Sequence, residues 1–108
     1  MAGEPHLKTW AQLVANLFAI AMESLPYGGK INIAPPELSE SDIKITLNGK
    51  LITLPEEIKT VLQQGADPQT LTPKTIQAYL TWTLSQELER KIQIQPAGEE
   101  VQIFVMRQ

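Results

Sequence analysis

The chain contains no cysteine. That excludes a disulfide framework, thiolate chemistry and cysteine-ligated metal, and it fits a reducing compartment. Histidine is almost as scarce, with His6 the only one. A serine nucleophile needs a neighbouring base, usually histidine, and Ser24, Ser39, Ser41 and Ser85 have none in view. Metal sites draw on clusters of His, Cys or carboxylates. The acidic pairs here, Glu56-Glu57 and Glu99-Glu100, are adjacent residues that point to different sides and read as a helix start and a solvated turn. There is no Gly-x-Gly-x-x-Gly and no phosphate loop. Charge is also thin: 19% of residues are charged, below the usual share of about a quarter. The net charge of −3 and the scattered Lys and Arg lack the basic patch of a nucleic-acid binder. The longest apolar stretch, Leu13 to Leu25, is broken by Asn16, Glu23 and Ser24. It falls short of the roughly 20 apolar residues that cross a bilayer. Nor does Met1-Ala2-Gly3-Glu4-Pro5 open like a signal peptide. The expectation is a soluble cytoplasmic protein with no nucleic acid or membrane partner and no cofactor or metal.

What is present reads as one domain, residues 1–108, large enough for a single core. Pro5 suits the first turn of a helix. Trp10, Leu13, Val14, Leu17, Phe18, Ala21 and Leu25 then recur at steps of three and four, which predicts one broad apolar stripe. Pro26 and Gly28-Gly29 end that helix. Ile31 and Ile33 alternate with polar neighbours, as in a strand with one buried face. Pro35-Pro36 closes it, and Glu37 to Asp42 reads as a polar connector.

Ile43, Ile45 and Leu47 alternate again, followed by Asn48-Gly49, the dipeptide preferred by type I′ hairpin turns. A hairpin there predicts Leu47 opposite Lys50, Ile45 opposite Ile52 and Ile43 opposite Leu54, with all the apolar residues on one face. Pro55-Glu56-Glu57 predicts a second helix, with carboxylates at the positive end of its dipole. Ile58, Val61 and Leu62 form its apolar face, and Gly65 is its C-cap. Ala66 to Leu71 is a loop. Thr72 then serves as N-cap and Pro73 as the first residue of a third helix. Its stripe is Ile76, Tyr79, Leu80, Thr83, Leu84 and Leu88. Two alternating strands finish the chain, Ile92 with Ile94 and Val101 to Val105, joined at Pro96-Ala97-Gly98-Glu99. This order predicts an α+β two-layer sandwich, a mostly antiparallel or mixed sheet covered on one face by three helices.

Residue chemistry alone describes a non-enzymatic α+β domain. Two motifs add more. Asn16-Leu17, then Leu25-Pro26-Tyr27-Gly28-Gly29-Lys30-Ile31-Asn32-Ile33, resembles the first helix and strand of the histidine-kinase ATPase fold. In that family an asparagine one turn after the Asn-Leu pair ligates the magnesium of the nucleotide. Ile20 stands at this position, and it offers no oxygen to a hard cation. The adenine-reading Asp-x-Gly-x-Gly and the glycine-rich lid are missing as well. Together with Asn48-Gly49-Lys50 and Leu71-Thr72-Pro73-x-x-Ile76-Gln77-Ala78-Tyr79-Leu80, the pattern resembles the C-terminal domain of the ChpT-type histidine phosphotransferases. These look like degenerate kinases, in which a dimerising helical hairpin carries the phosphoacceptor histidine and a lid-less kinase-like domain follows.

The resemblance implies a non-ATP-binding domain in two-component signalling that docks a response-regulator receiver domain. Exposed positions around the third helix start, Thr72, Lys74, Thr75 and Gln77, are the expected partner-binding residues. No catalytic residue is expected, and whether the chain forms a homodimer is left open. His6-Leu7-Lys8 does not fit the family's pattern of a histidine followed by an acidic residue, so His6 reads as an exposed terminal residue rather than a phosphoacceptor. The competing readings are an unrelated α+β interaction domain and an active ATP-binding kinase-like domain.

Overall fold

The structure, a computed structural model, describes residues 7–34 and 43–107. Helix α1 spans Leu7–Glu23 and strand β1 Lys30–Ala34. Strand β2 covers Ile43–Asn48, helix α2 Glu56–Gln64 and helix α3 Ile76–Glu87. Strands β3 (Arg90–Ala97) and β4 (Glu100–Arg107) complete the chain. Pro5, His6 and the Pro35 to Asp42 connector lie outside the described residues.

The four strands form one antiparallel sheet in the order β1-β2-β4-β3. Its register lines up the alternating apolar residues in rows. Ile33, Ile45, Ile103 and Ile94 form one row; Ile31, Leu47, Val101 and Pro96 form the next. All of these side chains point to the same face, and the helices cover it. The opposite face carries Asn32, Thr46, Gln102 and Gln95 in the intervening row. Ile45, Leu47, Ile103 and Val105 are completely buried beneath Leu13 and Leu17 of α1 and Leu62 of α2. Each such side chain contributes roughly 1.5–3 kcal/mol by leaving water. The α+β sandwich and its three helices agree with the expectation.

The Asn48-Gly49 hairpin does not form. Residues 50–54 belong to no strand, and neither Asn48 nor Gly49 has the positive φ that a type I′ turn requires. The reason lies in the sheet: β2 is an interior strand with β1 on one edge and β4 on the other, so no edge remains for a returning arm. The segment after Gly49 instead crosses from the sheet to the helical layer. Thr53 N–H donates to Ser24 C=O at 2.8 Å, and Ile52 and Leu54 pack against the core from there. Glycine at 49 serves a different purpose. A Cβ on Gly49 would sit 2.7 Å from Gly28 C=O and 3.0 Å from Leu25 Cδ2. A Cβ on Gly29 would collide with Asn48 C=O, and Gly29 itself has φ +150°. The two glycine turns therefore cross backbone against backbone at one end of the sheet.

Two helices also differ from expectation in which residues face inward. On α3 the buried positions are Ala78, Thr81 and Ser85, while Ile76 and Leu80 of the expected stripe are 42% and 53% exposed. Small residues let α3 approach closely. The buried hydroxyls are satisfied within the helix, Thr81 Oγ1 donating to Gln77 C=O at 2.7 Å and Ser85 Oγ to Trp82 C=O at 2.6 Å. On α1 the stripe runs through Leu13, Leu17, Ile20 and Ala21, and Phe18 is 40% exposed. Helix α2 follows its sequence signals: it starts after Pro55 with Glu56 and Glu57 in its first turn, and Gly65 (φ +77°) caps it, N–H to Val61 C=O at 2.8 Å.

Candidate functional site

The positions singled out at the start of α3 form a capped turn. Thr72 C=O accepts from the N–H groups of Thr75 and Ile76, both at 3.0 Å, so the helical turn opens at Thr72. Thr75 Oγ1 accepts from Thr72 N–H at 2.9 Å, the reciprocal bond of a capping box. The regular helix begins at Ile76, after this turn. Thr75 is thereby buried, whereas Thr72 and Lys74 are exposed and Gln77 is half-buried.

Lys74 and Gln77 project into a groove of about 330 Å³. Three elements converge on it. The C-terminal turn of α1 supplies Ile20 and Glu23, the segment leading into α2 supplies Thr53 and Leu54, and the start of α3 supplies Pro73 and Ala78. Ser24 is the joint that holds the first two together. Its Oγ donates to Ile20 C=O at 2.8 Å, while its own carbonyl accepts from Thr53 N–H. The floor is apolar, made by Ile20, Leu54, Ile58 and Ala78. The rim carries one carboxylate (Glu23), one ammonium (Lys74), an amide (Gln77) and a hydroxyl (Thr53). Such a rim can hydrogen-bond and pair single charges on a partner, and the floor can take an apolar side chain.

Ile20 is the residue at which the kinase resemblance expects the magnesium ligand. It is 6% exposed, lines the groove and belongs to the core cluster. Its side chain brings no oxygen to this site. Among the described residues no group of three or more His, Cys, Asp or Glu could hold a metal ion. Of the four expected site residues, the groove unites Lys74 and Gln77, while Thr72 and Thr75 bond to one another beside it. Sequence reasoning missed Glu23, Thr53 and Leu54 as groove residues. A hairpin at Asn48-Gly49 puts residues 53 and 54 in the sheet, and nothing local to Thr53 signals its bond to Ser24. His6 lies outside the described residues.

Among the described residues no helix is long and apolar enough to cross a membrane. The fold is shared with a solved bacterial phosphotransferase, at a TM-score of 0.75 and 23% sequence identity. The match covers 91% of this chain and 48% of that one, so the chain spans about half the length of that relative. No curated protein matches it in sequence. The family model of the histidine phosphotransferase C-terminal domain matches residues 2–100. Nearly the whole chain is thus accounted for by one family, and the chain belongs to the histidine phosphotransferase C-terminal domain family.

Proposed function

We propose that this chain is a docking domain of a phosphorelay, binding a response-regulator receiver domain and not ATP. The observation that carries the reading is Ile20: a buried apolar residue lines the groove at the position where a kinase of this fold needs a metal ligand. A magnesium-nucleotide requires oxygen ligands, and Ile20 offers packing instead. Membership in the histidine phosphotransferase family supports a place in a phosphorelay. The groove has the character of a protein-binding surface. Its apolar floor can seat one partner side chain, and Lys74, Gln77 and Thr72 at the rim can fix its orientation. Thr75 acts through its bond to Thr72, which holds the entrance of α3 in place. The cysteine-free composition suits a reducing compartment, and we place this activity in the cytoplasm.

Calorimetry tests both halves of the reading. Titration with a panel of receiver domains should give saturable binding, and titration with ATP and magnesium should give none. Absence of heat with every receiver at high micromolar concentration removes the docking claim. Micromolar ATP affinity overturns the reading of Ile20.

A further inference from the structure

The two edges of the sheet are treated differently. Strand β3 is guarded: α2 packs along it, Gln63 Oε1 accepts from Ile94 N–H at 2.9 Å, and Pro96 has no N–H to offer. Strand β1 is the other edge, and among the described residues only β2 pairs with it. Among the described residues no strand meets the other side of its backbone, which offers N–H and C=O groups as a template for a further strand.

Apolar surface lies beside this edge. Helices α2 and α3 pack on β3 and α1 packs against α3, while Ile31 of β1 packs against the core cluster that holds Leu13 and Leu17 of α1. Besides its buried stripe, α1 carries a second one: Leu7, Ala11, Val14, Phe18 and Met22, again at steps of three and four. Leu7, Phe18 and Met22 are 67%, 40% and 56% exposed, and Ile33 on β1 is 41% exposed. By helical spacing this stripe lies on a flank of α1 away from Ile20 and Glu23, the residues that share a groove with the start of α3.

From these observations we infer that β1 is a self-association edge, where a second copy of this chain adds its own β1 antiparallel across a two-fold axis. The strand is self-complementary. Full overlap of Lys30-Ile31-Asn32-Ile33-Ala34 with a two-fold copy sets Asn32 opposite Asn32, Ile31 opposite Ile33 and Lys30 opposite Ala34. Both isoleucine pairs then fall on the helix-covered face as directly opposite cross-strand pairs. The only charge on the strand, Lys30, meets no like charge. The two-fold axis stands normal to the sheet, so both helical layers lie on the same side and the two α1 stripes face each other over the seam. The result is a continuous eight-strand sheet with an isologous interface. This surface is separate from the groove, and the inference does not depend on receiver docking.

A cysteine-free chain allows a register-specific test. Facing residues of an antiparallel pair have Cα atoms about 4.5–5.5 Å apart, inside the roughly 4.4–6.8 Å span of a disulfide. Asn32→Cys places one thiol on the two-fold axis, on the open face of the sheet. Gln95→Cys is the control, at the far end of the same cross-strand row and also exposed. Under mild oxidation Asn32→Cys should give disulfide-linked dimer at least about tenfold faster than Gln95→Cys, because only the former is held at bonding distance. Adding Ile33→Lys or Met22→Lys, both at exposed positions, should suppress that rate by a similar factor. Sedimentation of the unmodified chain should show a reversible monomer–dimer equilibrium that Ile33→Lys weakens. Equal cross-linking of the two cysteine variants, or a chain that stays monomeric at millimolar concentration, overturns the proposal. So does a β1 edge that pairs only with an added heterologous peptide.

Discussion

Replacing Gly29 by alanine should be the most damaging small substitution in the chain, and the glycine crossing explains why. Two costs combine there. The backbone at Gly29 has φ +150°, where an L side chain is strained by about 1–3 kcal/mol. Its Cβ would also overlap Asn48 C=O, which belongs to the backbone and cannot swing aside. Forcing the two turns apart resembles overpacking a core and costs about 1–3 kcal/mol more. The total is about 2–6 kcal/mol. Two neighbouring glycines separate the terms. Gly28 has φ +81° but nothing within 4 Å of an added Cβ. Alanine there pays only the left-handed penalty of about 1–2 kcal/mol, partly offset by the lower entropy of its unfolded chain, leaving about 0.5–1 kcal/mol. Gly49 has an ordinary φ, but its Cβ would stand 2.7 Å from Gly28 C=O, so it pays the steric cost alone, about 1–3 kcal/mol. Urea or thermal unfolding of the three variants measures the ranking. For a domain of this size each kcal/mol moves the midpoint by roughly 4–6 °C. A Gly29→Ala variant no less stable than Gly28→Ala refutes the crossing.

Other substitutions read out separate features. Glu89 sits at φ +58°, just past the end of α3, where glycine is usual. Glu89→Gly should therefore raise stability by about 0.5–1 kcal/mol in chemical denaturation, and a loss of stability contradicts this. Gly65 combines φ +77° with the Trp82 ring 2.7 Å from an added Cβ. Gly65→Ala should cost about 2–4 kcal/mol and change the tryptophan fluorescence, while an unchanged midpoint argues against this packing. Gln63→Ala removes the acceptor of Ile94 N–H and should cost about 0.5–1.5 kcal/mol, with faster hydrogen exchange at Ile94 as its specific sign.

Much of this architecture was legible because its signals are local. Pro55, the two glutamates after it and Gly65 mark α2 without reference to the rest of the chain. Alternation at Ile43-Ile45-Leu47 and Val101-Ile103-Val105 marks strands with one buried face, and the register bears it out. The failures share a cause: they depend on neighbours distant in sequence. Asn48-Gly49 has hairpin chemistry, but β2 already has partners on both sides, and glycine is needed at 49 because Gly28 crosses there. On α3, hydrophobicity points outward because Thr81 and Ser85 satisfy their hydroxyls on their own helix and so can be buried. On α1, Val14 and Phe18 look like part of the core stripe, yet Phe18 belongs to a second one that leaves the molecule's own core. At the candidate site, Ile20 was legible as a departure from a family pattern. Its union with Glu23, Thr53, Lys74 and Gln77 was not, since it depends on where the 50–54 segment goes.

The most direct test of the central claim is a residue-resolved NMR titration of the backbone amides, first with a cognate receiver domain and then with ATP and magnesium. The receiver should shift the amides of Glu23, Thr53, Thr72, Lys74 and Gln77, the residues at the groove and the α3 entrance. Lys74→Glu should weaken the effect about tenfold, equivalent to about 1.4 kcal/mol. ATP and magnesium should move none of these amides. Receiver-induced shifts confined to the open face of the sheet, or nucleotide-induced shifts centred on Ile20, contradict it.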